Sequence, residues 1–207
     1  MPECSAFDSI LFIQVFAVGG FKQHYISGVV VYTAFFIISM AISVIGWLLF
    51  ELPRDWNPTI PMAILPAFFC FTISFLCSLW PDVDIKSKSQ QIFYTLFVTI
   101  NLTLIFKGLY QVSAFLGLFA MLPMLSKHRG WTHSRLTMII FPTLFVIIPL
   151  YFELRVSNMI DFWQQLKNLD WPTEAKRGLP AYLAGVIGYA THLQVDGILY
   201  RLPKNRA

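Results

Sequence analysis

From Gly28 to Phe50 the chain carries no charged side chain, and a helix of that length crosses the roughly 30 Å hydrocarbon core of a bilayer. Similar apolar runs follow at about 60–79, 92–106, 109–125, 136–152 and 179–200. Inside lipid every backbone polar group needs a partner within the protein, so such runs specify helices. The chain is 57% hydrophobic and 13% charged, against about 25% charged in soluble domains. A mean hydropathy of +0.63 points the same way. The expected fold is an all-α membrane protein with about six transmembrane helices, in one domain covering residues 1–207. No dense basic stripe or recognition module is present, which argues against nucleic acid as a partner. The lipid bilayer is the expected partner.

Two further segments are expected to lie at the membrane surface. Residues 9–20 are apolar but too short to span comfortably, so they predict a re-entrant or interfacial helix ending at Gly19-Gly20. In the long polar stretch 153–178, Val156, Met159, Ile160, Trp163 and Leu166 recur at helical spacing. That pattern predicts an amphipathic interfacial helix. Glu3 and Asp8 occupy the place of a basic n-region, so no secretory signal is read there. Cys4, Cys70 and Cys77 are odd in number and form no C-x-x-C pair, which argues against a disulfide framework or zinc ribbon. Cys70 and Cys77 read as small packing residues.

Against this apolar background the four histidines and most central acids gather in short clusters. These are Gln23-His24-Tyr25, Trp80-Pro81-Asp82-Val83-Asp84, Lys127-His128-Arg129-Gly130-Trp131-Thr132-His133-Ser134 and His192-Leu193-Gln194-Val195-Asp196. Ionisable groups beside membrane spans are costly and usually functional. Imidazole and carboxylate together suit zinc and similar divalent ions. A basic juxtamembrane loop accounts for Lys127 and Arg129 but not for two histidines. His192 and Asp196, four apart, share one helical face with the small residues Gly188, Gly185 and Ala181, and small residues face neighbouring helices in membranes. Pro81 predicts an extended exit from its span, in which Asp82 and Asp84 point the same way. Thr132 or Ser134 is the expected cap of the following helix.

Six alternating crossings bring all four clusters to one side of the membrane. That side carries nine of the fifteen basic residues, so the positive-inside rule places the clusters and the C-terminus in the cytoplasm. The residues therefore predict one membrane-face metal site. Its expected ligands are His24, Asp82, Asp84, His128, His133, His192 and Asp196. The ion is expected to be zinc, with manganese as the alternative.

The motif set resembles the YdjM-like family of membrane-bound metal-dependent hydrolases. That family's pattern is an early histidine, Pro-Asp-x-Asp after a span, His-Arg-Gly-x-Thr-His-Ser and a late His-x-x-x-Asp. Here these are His24, Pro81 to Asp84, His128 to Ser134, and His192 to Asp196. The resemblance implies hydrolase activity in a bacterial inner membrane. The residues add expected roles: Asp82 or Asp84 as general base, and Arg129 as a cation for a phosphate or developing oxyanion. At the lipid boundary a lipid-like phosphoester is the economical substrate. The competing readings are a non-enzymatic metal or haem carrier and a metal-free lipid phosphatase. The phosphatase's Lys-x-x-x-x-x-x-Arg-Pro and Pro-Ser-Gly-His motifs are absent from the chain.

Overall fold

The structure, a computed structural model, describes residues 21–84, 86–125, 130–154 and 159–199. The described residues form eight α-helices: α1 (Phe21–Phe50), α2 (Ile64–Leu79), α3 (Lys88–Phe106), α4 (Tyr110–Met121), α5 (Arg135–Ile140), α6 (Leu144–Glu153), α7 (Met159–Lys167) and α8 (Trp171–Val195). Short 3-10 turns at Trp80–Asp84, Leu122–Leu125, Trp131–His133 and Phe141–Thr143 join some of them. No strand occurs among the described residues.

The helices invert the soluble pattern. On α1 the buried positions are His24, Ser27, Gly28, Tyr32, Ser39, Ser43 and Gly46, which are mainly small or polar. Large apolar residues such as Ile37, Leu48 and Leu49 stay exposed. Ile64 on α2 is 90% exposed and Phe106 on α3 is 88% exposed. Surfaces this apolar need lipid around them. The protein is a membrane protein, and its small faces decide how the helices meet.

α1, α2 and α8 form the central packing unit. Tyr32, Cys70, Ile73, Cys77, Trp80, Phe141, Ala184, Tyr189 and Leu193 build its core. Cys70 and Cys77 are thus both buried between helices. Gly188 on α8 lies directly against the Ser74 backbone of α2, and any Cβ there would collide with it. Gly28 and Gly185 make similar close approaches, to Ser78 and Pro142. The stripe expected to face the bundle does so. It brings α8 against α2 along the turn that leads to His192.

Among the described residues, four segments are long and apolar enough to cross a bilayer: Phe21–Phe50, Ile64–Val83, Lys88–Phe106 and Arg135–Glu153. The other two apolar runs also form helices, but with different bounds. α4 has 12 residues and rises only about 18 Å at 1.5 Å per residue, because the chain turns 3-10 at Leu122–Leu125 around Pro123. α8 has 25 residues but begins well before the apolar run, with Glu174, Lys176 and Arg177 in its first turns. On α7, Ile160 and Trp163 are exposed while Phe162 is buried against Tyr151, so its apolar stripe remains open on one side. The expected helix over 9–20 lies outside the described residues.

The exit from α2 corrects one expectation. Trp80–Asp84 is a 3-10 helix, not extended chain, and Trp80 itself is αR. Proline is tolerated in a first helical turn, where its missing N–H leaves no bond unmade. Trp80 is 1% exposed, packed on Phe93 at 5.0 Å and Phe141 at 4.4 Å. That packing overrides the local preference of a residue before proline. The alternation argument linking Asp82 to Asp84 therefore no longer applies.

Candidate metal centre

Four elements deliver side chains to one end of the central unit. His24 comes from the first turn of α1, and Asp82 from the 3-10 turn after α2. His133 comes from the turn before α5, and His192 with Asp196 from the end of α8. One ligand atom from each of Asp82, His133, His192 and Asp196 lies within 4.8 Å of the other three. His24 joins from the facing side. The side chain of Asp84 and all of His128 and Arg129 lie outside the described residues.

The local folding of each piece has an identifiable cause. Asp196 caps α8, and Gly197 follows with φ +68°. The N–H groups of Gly197 and Ile198 donate to the carbonyls of Gln194 and Leu193, both at 2.9 Å. These two bonds and the left-handed glycine make a Schellman ending. Arg135 then donates to the carbonyls of Ile198 at 3.3 Å and Leu199 at 2.9 Å, tying the end of α8 to the start of α5. Ser134, not Thr132, caps α5 by accepting from the Thr137 N–H at 3.0 Å. The Tyr189 hydroxyl donates to the Thr132 carbonyl and holds the His133 turn on α8. Thr132 Oγ1 lies 3.2 Å from His133 Nδ1.

His192 is oriented by the backbone of α2. Its Nδ1 is 2.8 Å from the Ser78 carbonyl oxygen, which can only accept, so Nδ1 carries the proton. In the neutral ring Nε2, which faces the carboxylates, would then hold the lone pair that a metal ion takes. A backbone carbonyl that orients an imidazole this way is usual for histidines that hold metals. His192 Nε2 is buried with no hydrogen-bond partner among the described residues. It lies 3.3 Å from Asp196 Oδ2 and 3.6 Å from Asp82 Oδ1. His133 Nε2 lies 3.4 Å and 3.8 Å from the same two oxygens.

Most of these separations exceed the 2.7–3.2 Å range typical of N–H···O bonds. Tetrahedral ligation with bonds of about 2.0–2.2 Å puts neighbouring ligand atoms about 3.3–3.6 Å apart. The donor set of two imidazoles and two carboxylates fits a divalent ion in type, and three of the four His–Asp separations fall in that range, the His133–Asp82 pair being slightly wider at 3.8 Å. Electrostatics agree. Two carboxylates held this close repel each other unless positive charge intervenes. Asp196 sits at the C-terminal end of α8, where backbone dipoles add negative potential. The rings of His24 and His192 stack at 4.1 Å with an interplanar angle of 21°, an arrangement that disfavours two imidazolium cations as the balancing charge.

A cavity of about 820 Å³ lies at the opposite end of α2 and α8. Its rim carries the Glu153–Arg177 ion pair at 2.7 Å. It shares no residue with the cluster and contains no histidine.

Sequence reasoning missed Ser78, Tyr189 and Arg135. Tyr189 stands one helical turn before His192 and was findable as a buried-face polar residue. The Ser78 contact was not findable, because it uses a backbone carbonyl that any residue supplies. No curated protein and no solved structure matches the chain. A family model described as YdjM inner membrane protein matches residues 21–201, an interval that takes in every element of the cluster. The chain belongs to the YdjM inner membrane protein family.

Proposed function

We propose that this protein is a membrane-bound metal-dependent hydrolase whose substrate is a lipid-like phosphoester at the cytoplasmic face. The observation that carries the reading is the convergence of Asp82, His133, His192 and Asp196 with ligand atoms within 4.8 Å of one another. The N₂O₂ donor set favours zinc, with manganese second. A divalent ion in such a site supplies Lewis acidity and activates water near neutral pH.

The protein's own groups do the rest. His192 is held in its ligating tautomer by the Ser78 carbonyl, so no reorganisation is needed on binding. Asp82 and Asp196 supply negative charge and orient toward the imidazoles. With Asp82 in the ligand quartet, Asp84 is the carboxylate assigned to proton transfer. Arg129, flanked in sequence by His128, is assigned to neutralise a phosphate through its planar donor fork. The cytoplasmic placement rests on the excess of basic residues around the clusters, and six crossings remain part of this proposal. A multi-pass protein with its polar site at a helix end meets substrates that share the bilayer.

Metal analysis of the purified protein, followed by hydrolysis assays on phospholipid and isoprenoid-phosphate substrates with and without chelator, tests this. Chelator-sensitive release of phosphate or a phosphorylated headgroup is expected. Bound metal without hydrolysis of any phosphoester would refute the enzymatic assignment, and hydrolysis indifferent to chelator would refute the role of metal.

A further inference from the structure

His24 does not belong to the mutually close quartet, yet its Nε2 faces the same two carboxylates. It lies 3.8 Å from Asp82 Oδ2 and 3.6 Å from Asp196 Oδ1. His133 and His192 address the other oxygen of each carboxylate, Asp82 Oδ1 and Asp196 Oδ2. Each carboxylate thus presents one oxygen to the His133–His192 side and its second oxygen to the His24 side. The imidazole of His24 is itself buried at 3% exposure, and its Nδ1 has no hydrogen-bond partner among the described residues. A buried histidine aimed at two carboxylates that are already shared is a costly feature for packing alone.

We propose that the centre binds two divalent cations bridged by Asp82 and Asp196. The first is held by His133, His192, Asp82 Oδ1 and Asp196 Oδ2. The second is held by His24, Asp82 Oδ2 and Asp196 Oδ1, which leaves it coordinatively open. The proposal rests on the metal-binding reading above and extends it to ion number and substrate charge. Separations of 3.6 and 3.8 Å around His24 Nε2 lie at and just beyond the upper end of the spacing of neighbouring ligands with bonds of about 2.0–2.2 Å, the same spread that the first site shows. Bridged pairs about 3.5–4 Å apart clamp an anionic group between them in hydrolytic sites. The charge count favours the same substrate class. Among the described residues the two carboxylates balance one dication, so a second leaves the centre cationic and suited to a phosphate.

The test is metal stoichiometry on the full chain in detergent. Purified protein is stripped with chelator, reloaded with excess zinc or manganese, desalted, and measured by elemental analysis and native mass spectrometry. Two ions per chain are expected for the wild type and one for His24→Ala, with His24→Asp restoring the second because a carboxylate also ligates. With manganese, the wild type should give the electron-paramagnetic signature of an exchange-coupled pair, and His24→Ala that of an isolated ion. Monodisperse elution of each variant establishes that it is folded. One ion in the wild type overturns the two-ion centre while leaving the metal-dependent reading intact. Two ions in His24→Ala, or none, overturns the role of His24. No ion in the wild type removes the metal reading and this inference together.

Discussion

Gly188→Ala should weaken both the fold and the metal centre, because the two share one helix contact. The alanine Cβ would lie 2.8 Å from the Ser74 carbonyl carbon and 2.9 Å from its Cα, with the carbonyl oxygen closer still. Ser74 offers backbone there, not a flexible side-chain end, so it cannot rotate away. Bringing the carbon contact alone out to an ordinary 3.4 Å requires α8 to retreat by about 0.6 Å, and the closer oxygen requires more, a strain of the kind overpacking imposes. The bond from His192 Nδ1 to the Ser78 carbonyl, 2.8 Å long, lies one turn further along the same interface. The same retreat stretches it to about 3.4 Å or beyond, outside the usual ~2.7–3.2 Å range. Overpacking costs about 1–3 kcal/mol, and a weakened hydrogen bond adds about 0.5–1.5 kcal/mol. A loss near 2 kcal/mol lowers Tm by roughly 4–8 °C for a chain of this size. Loss of an outer-shell partner weakens metal binding about 10–100-fold. Scanning fluorimetry of the metal-free protein in detergent reads the first effect, and competition with a chromogenic chelator reads the second. If Tm and zinc affinity both match the wild type, α8 is not held against α2 at Gly188, and the derivation of the site from that contact is wrong.

Replacing His133, His192 or Asp196 by Ala should abolish binding of the ion held by the quartet, lowering the metal content in elemental analysis by at least one ion per chain, since each removes a ligand atom from it. Arg135→Ala should weaken zinc affinity about 10-fold with a small change in Tm, because it unties the loop after Asp196 from α5, and Arg135→Lys should recover only part of the loss; an unchanged affinity would show that the Schellman ending suffices. Arg129→Lys should keep its metal but lose turnover of a phosphate-bearing substrate, as lysine retains charge and loses the bidentate fork; loss of metal would assign Arg129 to holding the loop instead. Cysteines at positions 204 and 168 should be labelled from opposite faces of the membrane, 204 from the cytoplasm, and labelling of 168 from the cytoplasm alone would reverse the proposed topology.

The legible part of the site was its chemistry. His24, Asp82, His133, His192 and Asp196 stand out because imidazoles and carboxylates are rare and costly in so apolar a chain. The His192–Asp196 spacing and the small stripe behind it indicate the facing of α8 from sequence alone. Trp80 shows the limit of local reasoning, since its helical conformation before Pro81 follows from burial against Phe93 and Phe141, two residues distant in sequence. The span count shows another. Hydropathy located six apolar runs, but helix ends depend on turns such as Leu122–Leu125 and on polar first turns such as that of α8.

Membrane insertion, helical architecture and the identity of the polar clusters were determined by the sequence itself, because transfer of side chains to lipid and the demand for internal backbone bonds depend on composition and run length. The meeting of the clusters was decided by tertiary structure. It depends on Gly188 admitting the Ser74 backbone, on the Ser78 carbonyl fixing the His192 tautomer, and on Arg135 and Tyr189 tying the His133 turn to α8. These are contacts between helices far apart along the chain, mostly through backbone atoms that every residue carries. No spacing in the sequence encodes them, and they set which carboxylate oxygen each histidine faces.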